Sequence, residues 1–303
     1  MLACLRTVIE KERGAVTSAS PAVLKRYVAL ELKRLRESAG LSRDQVAKRL
    51  SRVSSHVAHL ETGRNLPSAA DLEVMLGFYG VADRVSAFRE LLDAARRGRD
   101  WWLAFKGASP GWFDLYLGME SSAVQIESCD MVCVPGLFQT RRYAKAVMQA
   151  GEPTLAEGGL ERRIDLRMAR QDVLMRQPTP PVVRSVLDEG VLRRGAATPK
   201  MLAEQLVHLV KLSDLPTVTI QIVPLDGPMH AGIDGSFILL TFPTDMDGGS
   251  AVVYEETRFR GTYYEDPAEV LAYRETFTDV GLAALTPEES RAMLVRRIEE
   301  LQA

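Results

Sequence analysis

Between Ser42 and Pro67 the chain sets two short amphipathic segments on either side of a very brief break, and this constrains the fold more than any other stretch. Ser42 caps the first segment, with Gln45 three residues on as its capping-box partner, and Val46, Ala47 and Leu50 form its apolar face. The break falls at Ser51 and Arg52. The second segment, from Ser54 to Thr62, carries Val57 and Leu60 inward and stops at Gly63. Helical patterns flank this pair. From Pro21 to Gly40, Val23, Leu24, Tyr27, Val28, Leu32 and Leu35 recur at spacings of mostly three and four. Pro67 and Ser68 open a further helix, with Leu72, Met75, Leu76 and Tyr79 inward and Gly80 as its stop, and another is predicted from Asp83 to Arg97.

Five short helices with a tight break between the second and third is the layout of a helix-turn-helix domain. Leu41 to Leu50, Ser54 to Arg64, and the exit Glu61-Thr62-Gly63-Arg64-Asn65-Leu66-Pro67 resemble the Xre family of regulators. That resemblance implies binding of double-stranded DNA, with the helix after the break lying in the major groove. Residues of that helix that do not point inward then face the bases: Ser54, Ser55, His56 and His59. Arg43 matches a family position that contacts DNA, and Arg52, Arg64 and Asn65 flank the reading helix as phosphate clamps. One such unit makes few contacts, so a homodimer on a pseudo-palindromic operator is expected. One residue departs from the family. Its turn usually has Gly where this chain has Ser51, and a left-handed residue other than Gly costs roughly 1 kcal/mol more, so a reshaped turn is expected.

Charge supports a polyanion at this end. The first 100 residues hold 18 basic and 12 acidic side chains, a net +6, whereas the remaining 203 carry −8. With 303 residues, two domains are expected: an extension over 1–20, the helix-turn-helix domain over 21–98, and a larger domain over 99–303. No run approaches the roughly 18 apolar residues of a membrane span, and the start lacks the pattern of a signal peptide, so a cytoplasmic location is expected.

The larger domain mixes element types. Helices are predicted over Leu137–Ala150, Leu160–Gln177, Lys200–Ser213, Pro267–Val280 and Pro287–Leu301, and strands over Pro181–Leu187, Thr217–Val223, Gly235–Phe242, Ala251–Glu255 and Thr262–Tyr264. Strands that follow one another late favour an α+β layout with a largely antiparallel sheet. From Trp101 on, the chain resembles the C-terminal domain joined to this helix-turn-helix in a large actinobacterial family of WhiJ-like regulators. The similar residues include Tyr116-Leu117-Gly118-Met119-Glu120, Val134-Pro135-Gly136-Leu137-Phe138-Gln139-Thr140, Arg167 with Arg170-Gln171, and Glu204 to Leu209. The resemblance implies a transcriptional regulator, expected to be a repressor. Its C-terminal domain receives a ligand or protein signal or, as the alternative, restrains a small co-encoded partner as an antitoxin does.

Candidate ligand or partner residues are Gln139 and Arg142, beside the Val134-Pro135-Gly136 turn, and His230, Tyr254 and Glu255 around a predicted strand. Cys129 and Cys133 would share a helix face but lack two further zinc ligands nearby, so no metal is expected. Without a G-x-S-x-G elbow, a P-loop or an H-E-x-x-H pair, neither catalysis nor a cofactor is expected.

Overall fold

The computed structural model describes residues 20–98, 100–194, 198–242 and 251–303. The expected extension over 1–20 lies outside them, apart from Ser20. Two compact units result, one holding the described residues up to Leu103 and the other those from Ala104 on.

The first unit contains α1 (Pro21–Ser38), α2 (Arg43–Arg49), α3 (Ser54–Glu61), α4 (Ala69–Phe78), a 3-10 turn over Ala82–Arg84, and α5 (Val85–Arg97). Local chemistry sets the ends. The Ser20 hydroxyl accepts from Val23 N–H with Pro21 in the first turn, Ser42 and Gln45 complete a capping box on α2, and Ser68 caps α4. Leu24, Val28, Leu32, Val46, Val57, Leu60, Leu72, Met75, Leu76, Phe88 and Leu92 close a single core.

The turn between α2 and α3 is not reshaped. Ser51 takes φ 55°, the left-handed conformation, even though it is not glycine. Arg52 N–H donates to Ala47 carbonyl oxygen at 2.9 Å and Ser51 N–H to Lys48 at 3.2 Å, which is a Schellman closure of α2. The motif's hydrogen bonds and the core contacts of α2 and α3 outweigh the strain on one serine. Ser51→Gly is expected to stabilise this unit by roughly 1 kcal/mol. Urea denaturation of the full chain, followed by the helical signal, checks this; a lower midpoint would mean that the serine side chain contributes to the turn.

The second unit is built on a six-stranded sheet in the order β3-β2-β1-β4-β5-β6. The strands are β1 (Gln125–Asp130), β2 (Val182–Asp188), β3 (Val218–Val223), β4 (Phe237–Thr241), β5 (Ala251–Glu256) and β6 (Gly261–Tyr264). The expectation of a largely antiparallel sheet needs correction: the sheet is mixed. β1–β2 and β2–β3 are parallel, while β1–β4, β4–β5 and β5–β6 are antiparallel. Strand β1 is the seam, with Ile126 opposite Val183 on one side and Leu240 on the other. It escapes the sequence reading because Glu127, Ser128 and Asp130 break its apolar run, although Glu127 and Ser128 are buried. Cys129 therefore lies on a strand with Cys133 beyond its end, and the two do not share a helix face.

Helices complete this unit: α6 (Phe113–Ser122), α7 (Arg141–Gly151), α8 (Glu157–Arg170), the short α9 (Gly190–Arg193), α10 (Pro199–Leu212), α11 (Pro267–Ala283) and α12 (Pro287–Gln302). The helix expected from Leu137 begins instead with a 3-10 turn over Gly136–Phe138, and α7 starts after its Thr140 cap. Val270, Phe277 and Val280 of α11 pack on Cys129, Val186, Phe237, Leu239 and Val253 of the sheet. Ile222 N–H of the edge strand β3 donates to the buried Ser290 hydroxyl of α12, which covers an otherwise open strand edge. Among the described residues no helix is long and apolar enough to cross a membrane.

Candidate functional site

The α2–turn–α3 unit is fixed from behind by an ion-pair network. Glu61, at the end of α3, is buried, and Arg36 of α1 donates to it from Nε at 2.5 Å and from Nη2 at 3.0 Å. Arg36 Nη1 also donates to the Leu41 carbonyl, and Arg43 Nε donates to Glu61 Oε2 at 2.8 Å. The hydrogen bonds to Glu61 raise the Arg36 pKa despite burial. Three helices therefore meet at one carboxylate, which sets the angle of α3. The sequence points to Glu61 only as the first residue of the exit motif and does not point to Arg36, although each falls four residues after an inward side chain, Val57 and Leu32. A charge on an apolar stripe signals a buried partner.

The sequence-predicted DNA contacts are placed unevenly. Arg43, Arg52, Ser55, Arg64 and Asn65 are exposed, whereas Ser54, His56 and His59 are half-buried. His56 turns back toward α4: its Nε2 lies 3.9 Å from Asp71 Oδ2 and has no hydrogen-bond partner among the described residues. This departs from the expectation that the ring points outward. His59 leans toward Arg64, with 3.4 Å between Nε2 and Nη1. Arg43 spends its Nε on Glu61. Val53 was not anticipated. It occupies the N-cap of α3, makes no side-chain cap and is 68% exposed, beside Arg52 and Ser55. A solvated valine at a helix entry presents an apolar surface of the kind that packs on a thymine methyl.

In the second unit, residues that carried the family resemblance converge on the Gly136–Phe138 turn. Glu120 of α6 and Arg170 of α8 form a buried bidentate pair at 2.7 and 2.8 Å, and the Tyr116 hydroxyl donates to Glu120 at 2.6 Å. The Arg170 guanidinium lies 5.2 Å from the ring centres of both Phe113 and Tyr116. Burial opposes its charge, but the Glu120 carboxylate outweighs burial and raises the Arg170 pKa. Gln171 Nε2 donates to the carbonyls of Gly136 and Gln139, and Gln205 Nε2 to that of Phe138, while Thr140 N–H donates to Gln205 Oε1. Every backbone carbonyl of the turn named here is thus held by a distant side chain.

The five candidate ligand residues do not form one site. Gln139 is buried and braces the turn by donating to the Val134 carbonyl. Arg142 is paired on the surface with Glu204 at 2.9 Å. His230 accepts from Gly232 N–H and so caps the 3-10 turn over Ala231–Asp234. Tyr254 stacks at 4.3 Å on Tyr116 and donates to Glu256. Its neighbour Glu255 accepts instead from Tyr264 and from Tyr273 of α11, as strand alternation requires.

A family model described as a helix-turn-helix domain matches residues 27–88, and one described as a domain of unknown function (DUF5753) matches residues 113–296. No curated protein and no solved structure matches the chain.

Proposed function

Because the chain belongs to the DUF5753 family and carries a helix-turn-helix domain ahead of that region, we propose that it is a sequence-specific transcriptional repressor. It binds a pseudo-palindromic operator as a homodimer and takes its signal through the C-terminal domain. The observation that carries this reading is the outward surface at the start of α3. Val53 and Ser55 stand there exposed, flanked by Arg52 and Arg64, neither of which makes an ion pair with a carboxylate among the described residues. Apolar and hydroxyl groups read base edges, and the flanking guanidinium groups hold phosphates. We assign no catalytic role to the chain.

Footprinting on the promoter region upstream of its own gene, across a salt series, tests the reading. A symmetric protected site is expected. A Val53→Ser/Ser55→Ala double variant is expected to weaken binding there by roughly tenfold or more. Arg52→Ala should instead weaken binding to all sequences alike and reduce the salt slope by about 1. Uniform, unprotected binding that the double variant leaves intact would overturn the assignment of α3 as the reading helix.

A second reading, that the C-terminal domain restrains a small co-encoded protein, is favoured by exposed apolar side chains on two elements that pack together. Met229 and Ile233 flank or occupy the 3-10 turn before β4, and Leu282 lies near the end of α11.

A further inference from the structure

The second unit holds an open cleft of about 940 Å³, reached between α7, α8, the start of α6 and the β5–β6 turn. Trp112, Phe113, Met148, Leu166 and Phe259 give it an apolar wall. Phe259 stands on the β5–β6 turn with 82% of its surface in solvent, an unusual position for a phenylalanine that makes no use of it. A cleft of this size falls within the usual range for small-molecule sites, roughly 300–1,000 Å³.

Its charged groups are unevenly satisfied. Arg170 is neutralised by Glu120, and Arg163 by Glu152. Arg167 also lines the cleft, yet no carboxylate lies within ion-pair distance of it among the described residues. Its Nη1 donates at 2.9 Å to Gln139 Oε1, a neutral acceptor that is itself buried. The guanidinium lies against Gly136, where a Cβ would come within 3.2 Å of Arg167 Cδ and 3.3 Å of its Nη1. Glycine at that position leaves the room that Arg167 occupies. Burial, with the like charge of Arg170 beside it, brings the Arg167 pKa down to about 10, so the cation is retained at neutral pH but poorly solvated. Of the remaining charges at the cleft, Arg167 and Arg258 face only Glu256, which leaves an excess of one positive charge.

We propose that this cleft binds a small monoanion, a carboxylate on an aromatic or aliphatic body, with Arg167 holding the carboxylate and Trp112, Phe113 and Phe259 covering the body. A guanidinium offers a planar fork that matches a carboxylate in two parallel hydrogen bonds. The single excess charge is balanced by one carboxylate and overshot by a phosphate dianion. The apolar wall holds the charged and the neutral body alike, but only the carboxylate pairs with the partly desolvated guanidinium, which the neutral analogue would leave without a counter-ion, so charge sets the selectivity. The proposal deepens the signal-receiving reading above. Binding is measured without DNA, so either can fail while the other stands.

The probe is 8-anilinonaphthalene-1-sulfonate, a monoanion on an aromatic body whose emission rises in apolar surroundings, titrated against the full-length chain. One saturable site is expected, with decanoate displacing the probe and decanamide displacing it at least tenfold less well. Arg167→Met is expected to weaken binding of probe and decanoate at least tenfold, as removal of a charge-assisted bond implies. Phe259→Ser, on an exposed turn where folding is not at stake, should weaken both several-fold. Arg193→Ala, whose partner Glu189 does not line the cleft, should leave both unchanged. Absence of a saturable site, equal displacement by decanamide, or full binding by both Arg167→Met and Phe259→Ser would each overturn the proposal.

Discussion

Glu120→Ala is expected to destabilise the C-terminal unit by about 3–5 kcal/mol, because it strands the Arg170 charge inside the protein without its counter-ion. The pair is almost wholly buried, and Tyr116 loses its acceptor in the same step. A lost pair at the surface would cost no more than about 1 kcal/mol. The paired replacement Glu120→Leu/Arg170→Met removes both charges and is expected to recover most of the loss, since burying two ions offsets much of what they gain from each other. Urea denaturation of the full chain, monitored by tryptophan fluorescence, separates the cases. A single variant within 1 kcal/mol of wild type would mean that water reaches the guanidinium and that the pair does not organise this domain.

Glu61→Ala is expected to cost the helix-turn-helix unit a similar amount, about 3–5 kcal/mol, and to abolish operator binding under conditions where the C-terminal unit remains folded. One carboxylate serves two guanidinium groups, those of Arg36 and Arg43. Its removal frees the C-terminal end of α3 and leaves Arg36 buried with only the Leu41 carbonyl and the half-exposed Glu37 carboxylate as remaining acceptors. Arg43→Ala is the informative companion. That side chain is 43% exposed, so its loss should cost at most about 1 kcal/mol. If Arg43→Ala unfolds the unit as readily as Glu61→Ala, the network depends on Arg43 rather than on the buried Arg36.

What could be read from the sequence was local. The helices of the first unit announce themselves by spacing and by caps such as Ser42 with Gln45, because both signals act within one or two turns. Ser51 could be recognised as a left-handed position, but that the turn keeps its shape depends on packing by α2 and α3. Strand β1 was illegible because its polar residues are satisfied from far away. Ser128 meets Ser185 at 2.8 Å, and Glu127 meets Arg184 at 3.1 Å, each partner 57 residues along the chain. Burial then pushes the Asp130 carboxyl up to about 7, against the pull of the Ser128 and Ser185 hydroxyls. The orientation of His56 belongs to the same class, since only the fold brings Asp71 beside it. Gln139 reads from the sequence as a candidate ligand residue beside a turn, and its actual work is bracing the turn on which Arg167 rests.

The seam position of β1 has a consequence for how the chain is made. The first unit finds its core partners among residues 24–92, so it can close soon after those residues leave the ribosome. Strand β1 cannot. Its parallel neighbour β2 arrives 57 residues later and its antiparallel neighbour β4 more than a hundred residues later. Until Phe237–Thr241 emerges, the central strand has one bare edge, and the nascent polypeptide is a finished helix-turn-helix domain trailing an open sheet. Synthesis therefore passes through a stage at which the helix-turn-helix domain is complete while the C-terminal sheet is still unfinished.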